Sequence, residues 1–352
     1  SGFFGLFCGQ AKQQMQSLRE NNGMQNRILG KSRIAVSEIG LGCWQFGGDF
    51  GPVSTNTVND ILDHAVAQGI TLWDTADVYG DGRSEWLIGR FIKNLASDKV
   101  LPTIITKVGR RPELYPNGYD KVTLHRHISD SINRLGVEQL DLVQLHCIPR
   151  SVLEDGEIFH WLESFQRAGL IKNFGASVET VDEGMLCLAQ PNLASLQIIF
   201  NLFRQAPALE LLPAAQATNV GVIVRLPLAS GLLTGKFKPE TAFAETDHRH
   251  YNRDGDAFHV GETFSGLPFG KGLELVEALQ GLLPKNATLT DIALRWILDH
   301  PAVSTVITGV SKPEQIAANA RTSLAPPLST ELHNALTTFY SSQVQQHIRG
   351  AM

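Results

Sequence analysis

Asp74, Tyr79, Lys107 and His146 are the residues of this chain whose types and placement suit proton transfer. Each stands at or just past the end of a short apolar run: ITLWD over 70–74, TIITK over 103–107 and DLVQLH over 141–146, with Tyr79 in the segment DTADVYGDGRSE. In a parallel βα barrel, side chains at the C-terminal ends of successive strands converge on one mouth. A phenol there can donate or accept a proton, and a nearby ammonium lowers its pKa. A carboxylate keeps the ammonium charged and placed, and an imidazole orients a reacting oxygen. Taken singly, Tyr79 reads as packing and His146 as a satisfied core histidine. Lys107 is harder to dismiss, because an unpaired lysine is costly to bury and so needs a carboxylate, for which Asp74 is the candidate.

The elements that must position these residues alternate along the chain. Eight strand-like runs occupy 39–44 (IGLGCW), 70–74, 103–107, 141–146, 173–177 (NFGAS), 196–200 (LQIIF), 220–225 (VGVIVR) and 304–308 (STVIT). Most are rich in Ile, Leu and Val, as strands buried on both faces are. Helix-like segments lie over 55–69, 83–95, 121–136, 155–169, 178–190, 207–219 and 288–300, with Pro213 limiting or kinking the sixth. This alternation predicts an α/β protein, a single (β/α)8 TIM barrel. A doubly wound sheet is the rival, weakened because no GxGxxG follows the first strand. RILGKS and RIAVSEIG read as a small hairpin ahead of the barrel, and 329–350 as a final helix. Residues 24–352 form the expected domain, with 1–23 a loosely ordered extension.

One stretch breaks the rhythm. Residues 236–272 make a long loop after the seventh barrel strand, and loops of this length are usually functional. A lid over the mouth is the expected role. The loop's histidines, His248, His250 and His259, lack a tetrahedral ligand spacing, so no metal site is expected.

Composition narrows the class. The chain has 352 residues, 43% hydrophobic and 18% charged, with a net charge of −5. That is globular and carries no basic excess for nucleic acid. No apolar run reaches the roughly 18–20 residues that span a bilayer. Cys8, Cys43, Cys147 and Cys187 are scattered without CxxC spacing, which fits free thiols in a reducing cytoplasm. Cys43 and Cys147 lie near the expected mouth, which leaves a redox role open. A monomer and a loose homo-oligomer both suit the sequence.

DTADVYG followed by RSEWLIG, TIITK and DLVQLH, in this order, resemble the signature strings of the aldo-keto reductase superfamily, over about 27–325. The pattern is that of bacterial members and of those related to potassium-channel β subunits. The resemblance implies the (β/α)8 fold with its hairpin plug, and Asp74, Tyr79, Lys107 and His146 as the catalytic tetrad. It implies that Ser177 and Gln197 hold a nicotinamide carboxamide, although Val178 stands where the family usually has Asn. RLPLASGLLTGK, with Leu226, Leu228, Ser230, Gly231 and Lys236, resembles the loop that wraps the pyrophosphate. Arg225 replaces the usual stacking aromatic, and its charge would favour the reduced nicotinamide. TGVSKPEQIAANA resembles the adenosine end, with Gly309, Ser311, Lys312, Gln315 and Asn319. Lys312 favours NADPH over NADH, with Arg249 or Arg253 as supplements.

The implied activity is NADPH-dependent reduction of a small-molecule carbonyl. Run in reverse with NAD(P)+, the same tetrad gives a sugar or alcohol dehydrogenase. A cofactor-binding redox sensor is the rival from another class. Trp44 is expected to line the substrate pocket, while Trp73 belongs to pocket or core. Arg110, Arg111 and Arg150 are candidates for attracting an anionic substrate.

Overall fold

In the computed structural model, which describes residues 24–352, the apolar runs become strands of one closed parallel barrel. The extension expected over residues 1–23 lies outside the described residues. A two-stranded antiparallel hairpin comes first, β1 (Asn26–Ile28) paired with β2 (Ala35–Ser37). The barrel strands are β3 (Ile39–Gly42), β4 (Leu72–Asp74), β5 (Thr103–Val108), β6 (Leu142–His146), β7 (Phe174–Ser177), β8 (Ser195–Ile199), β9 (Gly221–Arg225) and β10 (Val303–Gly309). They pair in sequence order, and β10 closes on β3.

The hairpin closes the lower end. Leu29 and Val36 pack with Leu72, Ile105, Leu142, Ile223 and Ile307, which are contributed by five barrel strands. Two glycines permit the approach. A Cβ on Gly30, whose φ is +48°, would fall on the backbone nitrogen of Gly221, and one on Gly221 would meet Leu29. Only the opposite, C-terminal end is left for chemistry.

Helices α1 (Thr55–Ala67), α2 (Arg83–Lys93), α3 (Lys121–Leu135), α4 (Arg150–Asp155) and α5 (Glu157–Arg167) follow β3 to β6. The rest are α6 (Val181–Leu188), α7 (Leu211–Ala217), α8 (His248–Tyr251), α9 (Phe269–Gln280), α10 (Leu289–Leu298), α11 (Glu314–Arg321) and α12 (Thr330–Phe339). Their starts carry side-chain caps where the sequence offers one. Ser54 accepts from the backbone N–H of Thr57, Asp120 from that of Thr123, and Thr180 forms a reciprocal capping box with Glu183. No helix among the described residues is long and apolar enough to cross a membrane.

The helix expected over 155–169 is present as α5, and the short helix α4, not expected from the sequence, precedes it, with Gly156 turning at φ +77° between them. Three expectations need correction. The 207–219 segment splits into a 3₁₀ turn at Ala206–Ala208 and α7, which tolerates Pro213 in its first turn, where proline removes no intrahelical bond. The tail helix ends at Phe339, widens into a π turn over Tyr340–Val344 and tightens into a 3₁₀ turn over Gln345–His347. Trp44 is not the last residue of a strand but the first of a 3₁₀ turn, Trp44–Gly47, that leads away from β3.

Candidate active site

Strand register brings the site together. Asp74 stands beside Gly42, His146 beside Ser177, Ser177 beside Gln197, and Gly309 beside Gly42, so these positions ring the upper end of the barrel. Gly42, Asp74, Tyr79, His146, Ser177, Gln197, Arg225 and Gly309 all border one cavity of about 260 Å³. Lys107 lies just beneath it, with 1% of its side chain exposed.

The lysine is fully engaged. Its Nζ donates to Asp74 Oδ2 at 2.7 Å, to the Thr75 carbonyl at 2.9 Å and to Tyr79 Oη at 3.0 Å. An ammonium has three protons, and all three are used. Asp74 is equally committed, because Gln197 Nε2 donates to its other oxygen at 2.8 Å and to Gln144 Oε1 at 3.0 Å. Gln144 in turn donates to Ser195 Oγ at 3.0 Å. Since Tyr79 Oη accepts from Lys107, its own proton must point elsewhere, and the cavity is the side it borders.

The electrostatics refine the expected roles. Burial pushes the Tyr79 phenol up to about 12, against the opposing pull of Lys107. Lys107 does lower the phenol, as expected, but desolvation of the phenolate outweighs the ammonium. Lys107 itself is raised despite burial, by Asp74 and then by Tyr79, so it stays charged. Burial, followed by Lys107, Arg110 and Arg225, holds His146 well below the ordinary imidazole range. A neutral imidazole and a protonated phenol thus share one cavity wall at neutral pH, with an ammonium beneath them. The rings of His146 and Tyr79 meet edge to face at 5.7 Å.

The long loop crosses the mouth as expected of a lid, and α9 ends it earlier than the sequence suggested, at Phe269. His248 N–H donates to the Asp49 carbonyl at 2.8 Å. Tyr251 Oη and Trp44 Nε1 each donate to the Asp49 carboxylate at 2.9 Å. Trp44 stacks at 5.9 Å on Tyr79, as a pocket wall should, whereas Trp73 is fully buried in the core and donates to the Ile70 carbonyl. Among the described residues the loop histidines do not converge as ligands. The one group whose donor atoms do so is Cys147, Glu179 and Glu262, within 4.8 Å of one another, and arginines occupy its carboxylates. Burial raises Cys147 to about 11 and Cys43 well above the usual thiol range, so neither is poised for redox chemistry.

Arg225 departs furthest from its expected setting. Its Nη1 pairs with Glu262 of the lid at 2.9 Å, and its Nη2 donates to the Val178 carbonyl at 3.1 Å. Glu262 neutralises the guanidinium, so the expected bias toward reduced nicotinamide loses its electrostatic basis. Glu262 and Gln144 escaped the sequence reading. The signal for Gln144 was present, an amide inside the apolar run DLVQLH. Nothing local marks Glu262.

The residues fit a nicotinamide dinucleotide. Gln197 Oε1 is buried and without a partner beside the Ser177 hydroxyl strand position, an acceptor free for a carboxamide N–H. A second cavity of about 290 Å³ shares Gln45, Phe50, Leu226, Pro227 and Gly309 with the first and continues past Leu228, Ser230, Gly231, Lys236, Ser311 and Gln315. Ala229, Ser230 and Gly231 all have positive φ there, a strained turn of the kind kept where backbone approaches a ligand. A Cβ on Gly309 would collide with Gln45. Two expected contacts are placed differently. Gln315 Oε1 accepts the N–H groups of Ser311 and Lys312, capping α11, and does not pair with Asn319 for a base. Lys312 is exposed and Asn319 buried, and neither borders the cavity. Arg249 does border it, held bidentately by Asp247 at 2.9 and 2.6 Å. Arg253 lies over Phe269.

A family model described as the Aldo/keto reductase family matches residues 38–341. The chain belongs to the aldo/keto reductase family. It is similar to the "Uncharacterized oxidoreductase YqkF" of Bacillus subtilis, 31% identical over 319 residues that cover 89% of this chain and 95% of that protein. It is 28% identical over 316 residues to the "NADH-specific methylglyoxal reductase" of Escherichia coli, covering 84% of this chain and 92% of that one. Among solved structures, the holo form of aldo-keto reductase AKR11C1 from Bacillus halodurans superposes with a TM-score of 0.73 at 26% identity. The match covers 93% of this chain and all of that one. This aldo/keto reductase is accordingly an NAD(P)H-dependent oxidoreductase, and the barrel and hairpin plug expected from its sequence are present.

Proposed function

We propose that this aldo/keto reductase reduces an aldehyde or ketone with NADPH, with Tyr79 as the proton donor. The observation that carries the reading is the 3.0 Å hydrogen bond in which Lys107 donates to Tyr79 Oη, on the wall of a cavity shared with His146. When bound, the cofactor supplies the hydride. Tyr79 hands its cavity-facing proton to the oxygen of the carbonyl as negative charge develops on it. Lys107 stabilises the phenolate left behind. Asp74 keeps Lys107 charged, and Gln197 fixes Asp74 through its second oxygen. His146, neutral, hydrogen-bonds the carbonyl oxygen and sets its direction. The first test is loss of NADPH absorbance with a panel of aldehydes and ketones, where no turnover on any of them removes the reading.

The charge states predict the pH profile. An acid whose pKa lies near 12 remains protonated throughout the neutral range, and a depressed imidazole remains neutral there. The kcat for carbonyl reduction should therefore be flat from about pH 7 to pH 10. Oxidation of the corresponding alcohol needs the phenolate, so its rate should climb by close to tenfold per pH unit over the same interval. A reduction rate that declines through about pH 8 would assign the proton to another group.

NADPH is favoured over NADH by two cations, Lys236, which borders the second cavity, and Lys312, which is exposed in the segment that resembles the adenosine end. The E. coli relative is named for NADH, so the choice rests on this chain's own residues. Tryptophan fluorescence titrations should show NADPH binding about tenfold tighter than NADH, a difference of about 1.4 kcal/mol. Lys312→Ala and Lys236→Ala should each narrow that ratio. Equal affinity in the wild type would remove the preference.

A further inference from the structure

Three arginines entered as candidates for attracting an anion, and the structure separates them. Arg111 is tied down, its Nη1 donating to Asp81 at 2.7 Å and its Nη2 to the Asp77 carbonyl at 2.7 Å. Arg150 is exposed and pairs with Glu154 and Asp182. Arg110 alone borders the cavity that holds Tyr79 and His146. Its side chain is 16% exposed, yet its ion pairs are long, 3.5 Å to Glu179 and 3.6 Å to Glu262. Neither is a good hydrogen bond. Glu262 has a closer partner in Arg225 at 2.9 Å. The Arg110 guanidinium thus borders the cavity with no fork-shaped acceptor at good hydrogen-bond distance among the described residues.

A run of aromatic rings links Arg110 to the proton donor along one side of the cavity. The Trp44 ring stacks on Tyr79 at 5.9 Å, Phe258 lies 6.1 Å from Trp44, and the Arg110 guanidinium sits 5.6 Å from Phe258. A short methylene chain suits that path, with a carbonyl at one end and an anion at the other.

We propose that the substrate is a carbonyl compound carrying a carboxylate on a short chain, and that Arg110 receives the carboxylate. The proposal rests on the reductase reading and names the substrate class of that site. A planar carboxylate matches the guanidinium fork with two parallel hydrogen bonds. A phosphate dianion is a poorer match, because Glu179 and Glu262 flank the same guanidinium and repel a second negative charge. Glu179 softens the local balance for a single negative charge, since burial and then Glu262 raise it to about 7.

The test compares 5-oxopentanoate with pentanal, and measures binding of pentanoate to the NADPH-loaded protein through its tryptophan fluorescence. Wild type should favour 5-oxopentanoate by at least about tenfold in kcat/KM, carried mainly by KM. In Arg110→Met that ratio should collapse, and pentanoate affinity should fall by about tenfold or more. Arg110→Lys keeps the charge without the fork and should fall between, which guards against a variant that does not fold. Arg150→Ala should keep the wild-type ratio. Equal use of the two aldehydes by wild type, or a preference that survives in Arg110→Met, overturns the inference. If pentanal is reduced and pentanoate does not bind, anion recognition fails while the reductase stands. If neither aldehyde is reduced but pentanoate binds through Arg110, the recognition stands and the reductase reading fails.

Discussion

Tyr79→Phe is expected to lower kcat for carbonyl reduction by about 10²–10⁴-fold, the range over which a positioned proton donor acts. The substitution is conservative in every other respect. The ring keeps its stack on Trp44 at 5.9 Å and its place 4.8 Å from the Lys107 ammonium. One ammonium proton loses its acceptor, but the cavity lies alongside and can admit water in the hydroxyl's place. NADPH affinity, read by fluorescence, should stay within about threefold of wild type, because no expected cofactor contact is removed. A variant that kept more than about a tenth of the wild-type kcat would exclude Tyr79 as the sole acid, and His146 would be the next group to test.

The second large effect is on stability as well as rate. Lys107→Met removes a cation from a site where it satisfies three acceptors and leaves Asp74 buried with only Gln197 as partner. Breaking a buried pair in this way costs about 3–5 kcal/mol, since the remaining charge keeps its desolvation penalty. Urea unfolding should register that loss, and carbonyl reduction should vanish because nothing then stabilises the phenolate. The double variant Lys107→Met with Asp74→Asn separates the two roles. It removes both charges together, so much of the stability should return while activity stays lost. If Lys107→Met unfolds at the wild-type urea concentration, the buried pair is not what the geometry makes it.

Much of the barrel was legible because of how parallel strands are buried. With helices outside and packed side chains within, each strand reads as an unbroken apolar run, and TIITK and DLVQLH announce themselves against polar helices. The polar residues that close such runs stand out for the same reason, as Lys107 and His146 do. What escaped depends on neighbours distant in sequence. Nothing around Glu262 says that it meets Arg225, because the lid must first fold back across the mouth. The burial that dominates the acidity of Tyr79 belongs to the packed cavity and not to the DTADVYG string, which carries no sign of it. The helix α4 was missed because its six residues are too few for a helical apolar period to show. Of the three candidate arginines, sequence alone could not say which faces inward.

The contacts that poise Tyr79 come from the rigid part of the molecule. Lys107, Asp74, Gln197 and Gln144 belong to barrel strands, and their hydrogen bonds run from stave to stave. Asp49, Arg110 and Phe258, which also border the cavity, lie on connecting segments, and Tyr251 lies on the short helix α8 of the long loop. Reactivity and selectivity are therefore carried by separate parts of the architecture. Loops other than the β4–α2 connection that carries Tyr79 can be exchanged or lengthened while the strand contacts to the proton donor remain, so one reaction can be offered to many molecules. For a designer the same partition is a licence to diversify the rim and an instruction to leave the staves alone.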